Sequence, residues 1–345
     1  MMKKLAAFAL LATAAAAASA QSSVTLFGVF DASLRSVKNG DASLKSVSSG
    51  GINSSRLGVR GVEDLGGGLK ASFWLEHGFN ADTGAQTDGS RFWGRRSTVS
   101  LLGGFGEVRI GRDFTPSYTG YADFDVFGDN GVAAAGKFTP TLGTDVDTRT
   151  RSDNEVSYFL PSGLGGFYGQ FSVAAGEGNG GKKYAGGRLG YGAGPLNVSV
   201  AFGNTKVTPL VAGQDDHKLY DLGASYDFGF AKLSGYYTQT KYAAQKSTVY
   251  SLGASVPVTS LASVRVAYTK ADLSGRNAAG TSIEANDANQ FAVGGVYLLS
   301  KRTALYGTYA RVDNKGSSAI AVSTPPAAVA GKKSTGYEVG VRHSF

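Results

Sequence analysis

The chain has 345 residues, a formal net charge of +8, 50 glycines, no cysteine, and three widely separated histidines, His77, His217 and His343. The missing cysteine excludes a disulfide scaffold, a thiolate metal site and thiol catalysis, and outside the first 20 residues no apolar run reaches the ~18–20 residues of a helical membrane span. Glycine is about twice as common as usual and charge, at 17%, is scarce, while 17 tyrosines and 19 phenylalanines complete an all-β profile.

The chain opens on an export signal. Lys3 and Lys4 precede an apolar stretch from Leu5 to Ala18, and Ala18-Ser19-Ala20 has the small-x-small pattern of a cleavage site. Residues 1–20 are therefore expected to be a signal peptide and 21–345 the mature domain. Alternation then takes over. Val24, Leu26, Gly28, Phe30, Ala32 and Leu34 share one face, and Thr25, Phe27, Val29, Asp31, Ser33 and Arg35 the other. The chain ends the same way, with Tyr337, Val339, Val341, His343 and Phe345 alternating with Glu338, Gly340, Arg342 and Ser344.

Between these ends lie strands of roughly 8–12 residues and two kinds of joint. Seven are short and carry turn residues, around 64–68, 103–106, 161–165, 192–195, 227–230, 257–260 and 299–302. Eight are longer and polar: 36–53, 80–91, 114–148, 176–183, 206–216, 242–246, 272–288 and 314–333. The two kinds alternate strictly, which predicts sixteen strands with both termini on the short-turn side. Such a pattern fits a closed antiparallel barrel in a membrane, because hydrocarbon offers no hydrogen bonds to an open sheet edge. Phe73, Phe105, Tyr191, Tyr226, Phe228, Tyr268, Tyr297 and Phe345 are expected beside short turns, where aromatic rings suit the membrane interface.

Five segments carry a family likeness: Gln21-Ser-Ser-Val-Thr-Leu-Phe-Gly28; Ser55-Arg-Leu-Gly58 with Glu63-Asp-Leu-Gly-Gly-Gly-Leu69; Phe92-Trp-Gly-Arg-Arg-Ser97; Gly104-Phe-Gly-Glu-Val-Arg-Ile-Gly-Arg112; and the ending Gly340-Val-Arg-His-Ser-Phe345. In that order the chain resembles the Gram-negative general diffusion porins of the β-proteobacterial type, in their anion-selective subgroup. The resemblance implies an outer-membrane homotrimer of 16-stranded barrels. Each would have its own pore, narrowed by an infolded third loop, and Phe345 would be read by the outer-membrane assembly machinery. It further implies contact with outer-membrane lipid and lipopolysaccharide, small anions as permeants, and neither cofactor nor nucleic-acid partner.

Side-chain parity then assigns a lumen. Leu57 and Val59 face lipid, so Arg56 and Arg60 face the pore, as do Lys70, Trp74 and Glu76 opposite Ala71, Phe73 and Leu75. Arg149, Arg151, Asp153 and Glu155 share the parity opposite Val156, Tyr158 and Leu160. Parity with Val99 and Leu101 points Arg96 inward, whereas the family's pore arginine aligns with Arg95; a bulge would reconcile them. An arginine on the lipid face costs ~2–4 kcal/mol at mid-bilayer and far less in a water-filled lumen. The longest joint, 114–148, holds Tyr118, Tyr121, Phe124, Phe127 and Phe138 together with Asp123, Asp125 and Asp129. It is expected to be the constriction loop, its aromatics packed to the wall and its aspartates facing the arginines.

Enzyme motifs fail on inspection. Gly176–Lys183 approaches a phosphate loop but lacks the Ser/Thr after its first lysine and is followed by a strand pattern. Asp145 and Asp147 could join Asp129 around calcium, yet Arg149 and Arg151 follow at once. No nucleophile is placed with His217. The expected function is a channel for passive diffusion of small hydrophilic solutes with anion preference, and no enzymatic activity. The alternatives are a channel selective for organic anions or phosphate, and a non-conducting outer-membrane barrel such as an adhesin.

Overall fold

A computed structural model describes residues 23–345; the expected signal peptide lies outside them. The chain forms one sheet that closes on itself. β1 (Ser23–Asn39) turns into β2 (Ala42–Ser49), and after a bend the chain resumes as β3 (Arg56–Gly66) and β4 (Leu69–Gly78). There follow β5 (Arg96–Gly103), β6 (Gly106–Phe114), β7 (Arg151–Phe159), β8 (Phe167–Ala174), β9 (Lys183–Ala193) and β10 (Leu196–Val211). The ring is completed by β11 (Gln214–Asp227), β12 (Lys232–Tyr242), β13 (Gln245–Pro257), β14 (Ala262–Gly275), β15 (Ala288–Leu298), β16 (Thr303–Asn314) and β17 (Ser334–Ser344).

β17 pairs back onto β1 from Val29↔Ser344 to Asn39↔Ser334. The long β1 meets β3 along Ser23–Val29 and β2 along Ala32–Asn39, so β2 and β3 share one place and the seventeen segments make a closed barrel of sixteen positions. The bend between them is held by a fully buried carboxylate. Asp31 accepts the amides of Gly51 (3.1 Å), Ile52 (3.1 Å) and Asn53 (2.8 Å) and the Tyr306 hydroxyl (2.5 Å). Four donors repay the cost of burying that charge.

Burial is inverted relative to a water-soluble fold. Leu26, Leu34, Val99, Ile110, Val200, Leu222 and Leu252 are exposed on the outside, whereas Ser100, Thr238, Thr240, Ser247, Thr269 and Gln290 are buried within. Such an outer surface is stable only against hydrocarbon. Phe73, Phe105, Tyr226, Phe228, Tyr297 and Phe345 are exposed close to the short turns. Tyr268 is exposed as well but lies well inside β14, away from the turn. Three expected long joints are largely strand instead: β1 and β2 meet at a turn over Gly40 and Asp41, β10 and β11 continue to Val211 and from Gln214, and β12 and β13 meet at a turn over Ala243 and Ala244. Where such segments run past the bilayer, water on both faces erases the alternation of apolar and polar residues.

At the seam Phe345 exchanges both backbone hydrogen bonds with Gly28, at 3.0 and 3.1 Å. Its ring occupies the space where any side chain at position 28 would begin, so glycine is required there.

Candidate functional site

The chain between β6 and β7 leaves the wall and folds into the lumen. Thr115 caps a short helix, α1 (Pro116–Ala122), its hydroxyl accepting the Tyr118 amide at 3.3 Å. α1 packs on β9, β10 and β11, and the turn at Gly131–Ala133 packs on β15, β16 and β17. In between, Phe124, Val126, Phe127 and Val132 lie over the wall glycines Gly223, Gly253, Gly294 and Gly336. A Cβ at Gly223 would overlap the Phe124 ring, so that strand position must lack a side chain. Phe124 (1% exposed), Val132 (0%) and Phe138 (1%) thus form an apolar core inside a polar lumen.

Polar tethers complete the attachment. Glu338 accepts the Val132 amide at 3.1 Å and pairs with Arg35 at 2.7 Å. Lys137 Nζ donates to the Val132 carbonyl (2.8 Å), Gln290 Oε1 (3.0 Å) and the Val322 carbonyl (3.2 Å). With no carboxylate in contact, burial pushes its ammonium down to about 7. Asp125 accepts the amides of Phe127 (3.1 Å), Asp129 (2.9 Å) and Ala135 (3.4 Å). Burial, reinforced by Asp129, nevertheless pushes its carboxyl up to about 6.

The sign of the resulting pH dependence follows. A carboxyl whose folded value exceeds the unfolded value near 3.9 contributes stability that is present below about 4 and lost as pH rises through about 6. On acidification from pH 7 to pH 4.5 the wild type is therefore expected to gain stability in detergent relative to Asp125→Asn, by at most about 2–3 kcal/mol, because the comparison cancels the titration of every other group. The same pH dependence of the thermal transition in wild type and Asp125→Asn would refute the assignment.

Against the inner surface of this connection lies a cavity of about 350 Å³ lined by Arg56, Arg95, Arg96 and Arg151 and by Glu76, Asp113 and Asp129. Glu76 is the hub: its carboxylate accepts from Arg95 Nε at 2.6 Å and Trp74 Nε1 at 3.1 Å, with Arg56 Nε at 3.8 Å. Arg96 is 3.4 Å from Asp113 and stacks over Trp74 at 4.5 Å. Arg151 donates to the Arg95 carbonyl at 2.7 Å and lies 4.0 Å from the centre of the Phe114 ring. Among the described residues no carboxylate pairs with it.

Arg95 and Arg96 both reach the cavity without a bulge. Arg96 is the first residue of β5, opposite Glu76, and Arg95 precedes the strand, where parity does not apply. The remaining expected residues are placed elsewhere. Arg60 lies toward the short-turn end, between Phe27 (5.3 Å) and Trp74 (5.0 Å). Arg149 donates to the Thr139 carbonyl at 2.6 Å within the connection. Asp123 pairs at 2.5 Å with Arg188, and Asp125 is buried, so of the three aspartates only Asp129 lines the cavity. Asp129 is fixed by the Gly136 amide at 2.7 Å and the Tyr118 hydroxyl at 3.3 Å.

A register shift against β6, with Asn154 at φ 53°, breaks parity along β7. Glu155 turns inward, while Asp153 pairs with Arg91 and Arg112, both at 2.7 Å. Asp145 accepts from Thr208 and Asp147 lies 3.5 Å from Arg91, both away from Asp129. Arg35, Arg188 and Lys137 were not singled out from sequence. The glycines around Arg188 hide its parity, and Lys137 lies in a segment without period.

A family model described as Gram-negative porin matches residues 6–317. Outer membrane porin protein 32 of Delftia acidovorans is 40% identical over 371 aligned residues, covering all of both chains. An outer membrane porin protein of Bordetella pertussis is 29% identical, again over the full length of both. Among solved structures, the anion-selective porin from Comamonas acidovorans superposes with a TM-score of 0.84 at 38% identity, over 94% of this chain and 100% of that one. The trimer form of OmpT of Vibrio cholerae shares the fold alone, at 16% identity and a TM-score of 0.69 over 94% of this chain and 99% of that one. Lipid-facing strands, a lumen filled with fixed charge and these full-length relatives agree: the chain belongs to the Gram-negative porin family, an outer-membrane barrel for passive diffusion.

Proposed function

We propose that this porin prefers small anions, that residues 114–148 form its constriction, and that it works as a homotrimer. The observation that carries the preference is Arg151, a guanidinium on the cavity wall without a carboxylate partner, beside Arg56, Arg95 and Arg96. Four guanidiniums against three carboxylates leave the narrow region net positive. Low-dielectric walls concentrate such a field on a passing ion. The Comamonas relative, described as anion-selective, supports the same reading. The zero-current potential of planar bilayers in a salt gradient tests it. The anion side is expected, and a potential on the cation side would overturn the preference.

Phe345 supplies the closing strand's last hydrogen-bonded pair, which supports its role in assembly. Deleting it is expected to lower the amount of folded, heat-dissociable trimer in the outer membrane severalfold. Normal amount and rate of assembly in the truncated protein would remove that role.

A further inference from the structure

Opposite charges that share a narrow cavity tend to pair, and three of the four arginines around the cavity do so. Arg95 lies 2.6 Å and Arg56 3.8 Å from Glu76, and Arg96 lies 3.4 Å from Asp113. Arg151 and Asp129 line the same cavity, yet among the described residues neither has an ion-pair partner. A free guanidinium and a free carboxylate in one cavity forgo a charge-assisted hydrogen bond, the strong kind. Their separation therefore has to be enforced by the groups around them.

Each is held by uncharged neighbours. Arg151 Nε donates to the Arg95 carbonyl at 2.7 Å, and the guanidinium lies 4.0 Å from the centre of the Phe114 ring. Phe114 stacks on Tyr118, with ring centres 4.9 Å apart and planes within 16°, and Tyr118 meets Tyr121 edge-on at 5.5 Å. The Tyr118 hydroxyl donates to Asp129 Oδ2 at 3.3 Å, and the Gly136 amide donates to Oδ1 at 2.7 Å. One stacked pair of rings thus carries the arginine on one member and the carboxylate on the other. Gly136 also makes room for that carboxylate: a Cβ there would come within 2.6 Å of Oδ2 and 2.7 Å of Oδ1. Gly136 is not in the left-handed region, so space rather than backbone conformation calls for glycine. Asp129 itself has φ 55°, which Asp and Asn tolerate better than most residues.

We propose that Tyr118 and Gly136 are positioning residues for selectivity: they seat Asp129 on the connection and so keep Arg151 free for a permeating anion. The consequence for permeation rests on the anion preference proposed for this channel. Seated apart, the two charges set up a field across the cavity; paired, they would cancel each other locally.

The test is conductance and zero-current potential in planar bilayers. Tyr118→Phe keeps the ring stack and removes one donor, whereas Gly136→Ala fills the seat. Each is expected to let Asp129 turn to Arg151 and to lower single-channel conductance at about 0.1 M KCl by up to about fourfold, the weight of one unit charge about 5 Å away in water. The zero-current potential should move toward zero. In an Asp129→Asn background, where the side chain tolerates the same φ, neither substitution should change conductance or potential. That dependence on Asp129 separates positioning from a merely structural role, since loosening the connection would act whatever stands at 129. Unchanged conductance and potential in both single variants would overturn the assignment, and so would equal effects with and without Asp129. A wild-type potential on the cation side would refute the anion preference alone, and the positioning role would still stand or fall on whether the effects require Asp129.

Discussion

Replacing Arg56 and Arg151 together by glutamine should carry the channel from anion to cation preference. The cavity would then hold two guanidiniums against three carboxylates in place of four against three. A unit charge about 5 Å from a permeating ion contributes ~0.8 kcal/mol even at the dielectric constant of water. Losing two such charges lowers anion permeability roughly tenfold and raises cation permeability by a similar factor, so the ratio falls on the order of a hundredfold. The zero-current potential should therefore change sign at low ionic strength. The effect should fade toward 1 M salt, where the Debye length shrinks to ~3 Å. Thermal stability should move little, because neither arginine makes a close ion pair: Arg56 lies 3.8 Å from Glu76, and Arg151 bonds a backbone carbonyl. A potential that does not move in the double variant would show that the selectivity field originates elsewhere along the lumen.

Phe124→Ala should detach the connection between β6 and β7 from the wall without dismantling the barrel. The ring is 1% exposed and packs against Gly223 inside the cluster that includes Tyr121, Phe127 and Phe138. Truncating a buried phenylalanine costs ~3–5 kcal/mol, and here the loss falls on the contact between connection and wall. The ladders of β10 to β12 contain no atom of that ring and should persist. Single-channel traces are expected to become noisy, with a larger mean conductance, and limited proteolysis should cut within 115–150. Gly223→Leu approaches the same contact from the wall side and should give the same phenotype. Quiet traces and protease resistance in both variants would mean that the polar tethers at Glu338 and Lys137 suffice to hold the segment.

The barrel was legible in the sequence because its physics is local. A strand between hydrocarbon and water must alternate, and Val24 to Leu34 or Tyr337 to Phe345 display that alternation directly. The polar run 36–53 reads as a loop because water on both faces removes the requirement; only pairing with β1 shows that much of it is strand. Parity also placed Arg56, Trp74, Glu76 and Arg96 on the inside, as single residues on single strands.

Which of those charges meet was beyond that reasoning. Arg95 reaches the cavity from outside any strand, and a positive φ at Asn154 separates Asp153 from Glu155. Asp123 and Asp125 look equivalent to Asp129 in sequence. They differ because the folded connection points one at Arg188, buries the second under its own amides and leaves the third on the cavity wall. The four glycines beneath Phe124, Val126, Phe127 and Val132 appear in sequence as ordinary strand glycines. Alternation along one strand is fixed by neighbours two residues apart, so the sequence alone determined the barrel and the faces of its regular strands. Contacts between the inner connection and the wall join residues as far apart as Val132 and Glu338, so the path of that connection and the balance of charge around it were decided by tertiary packing.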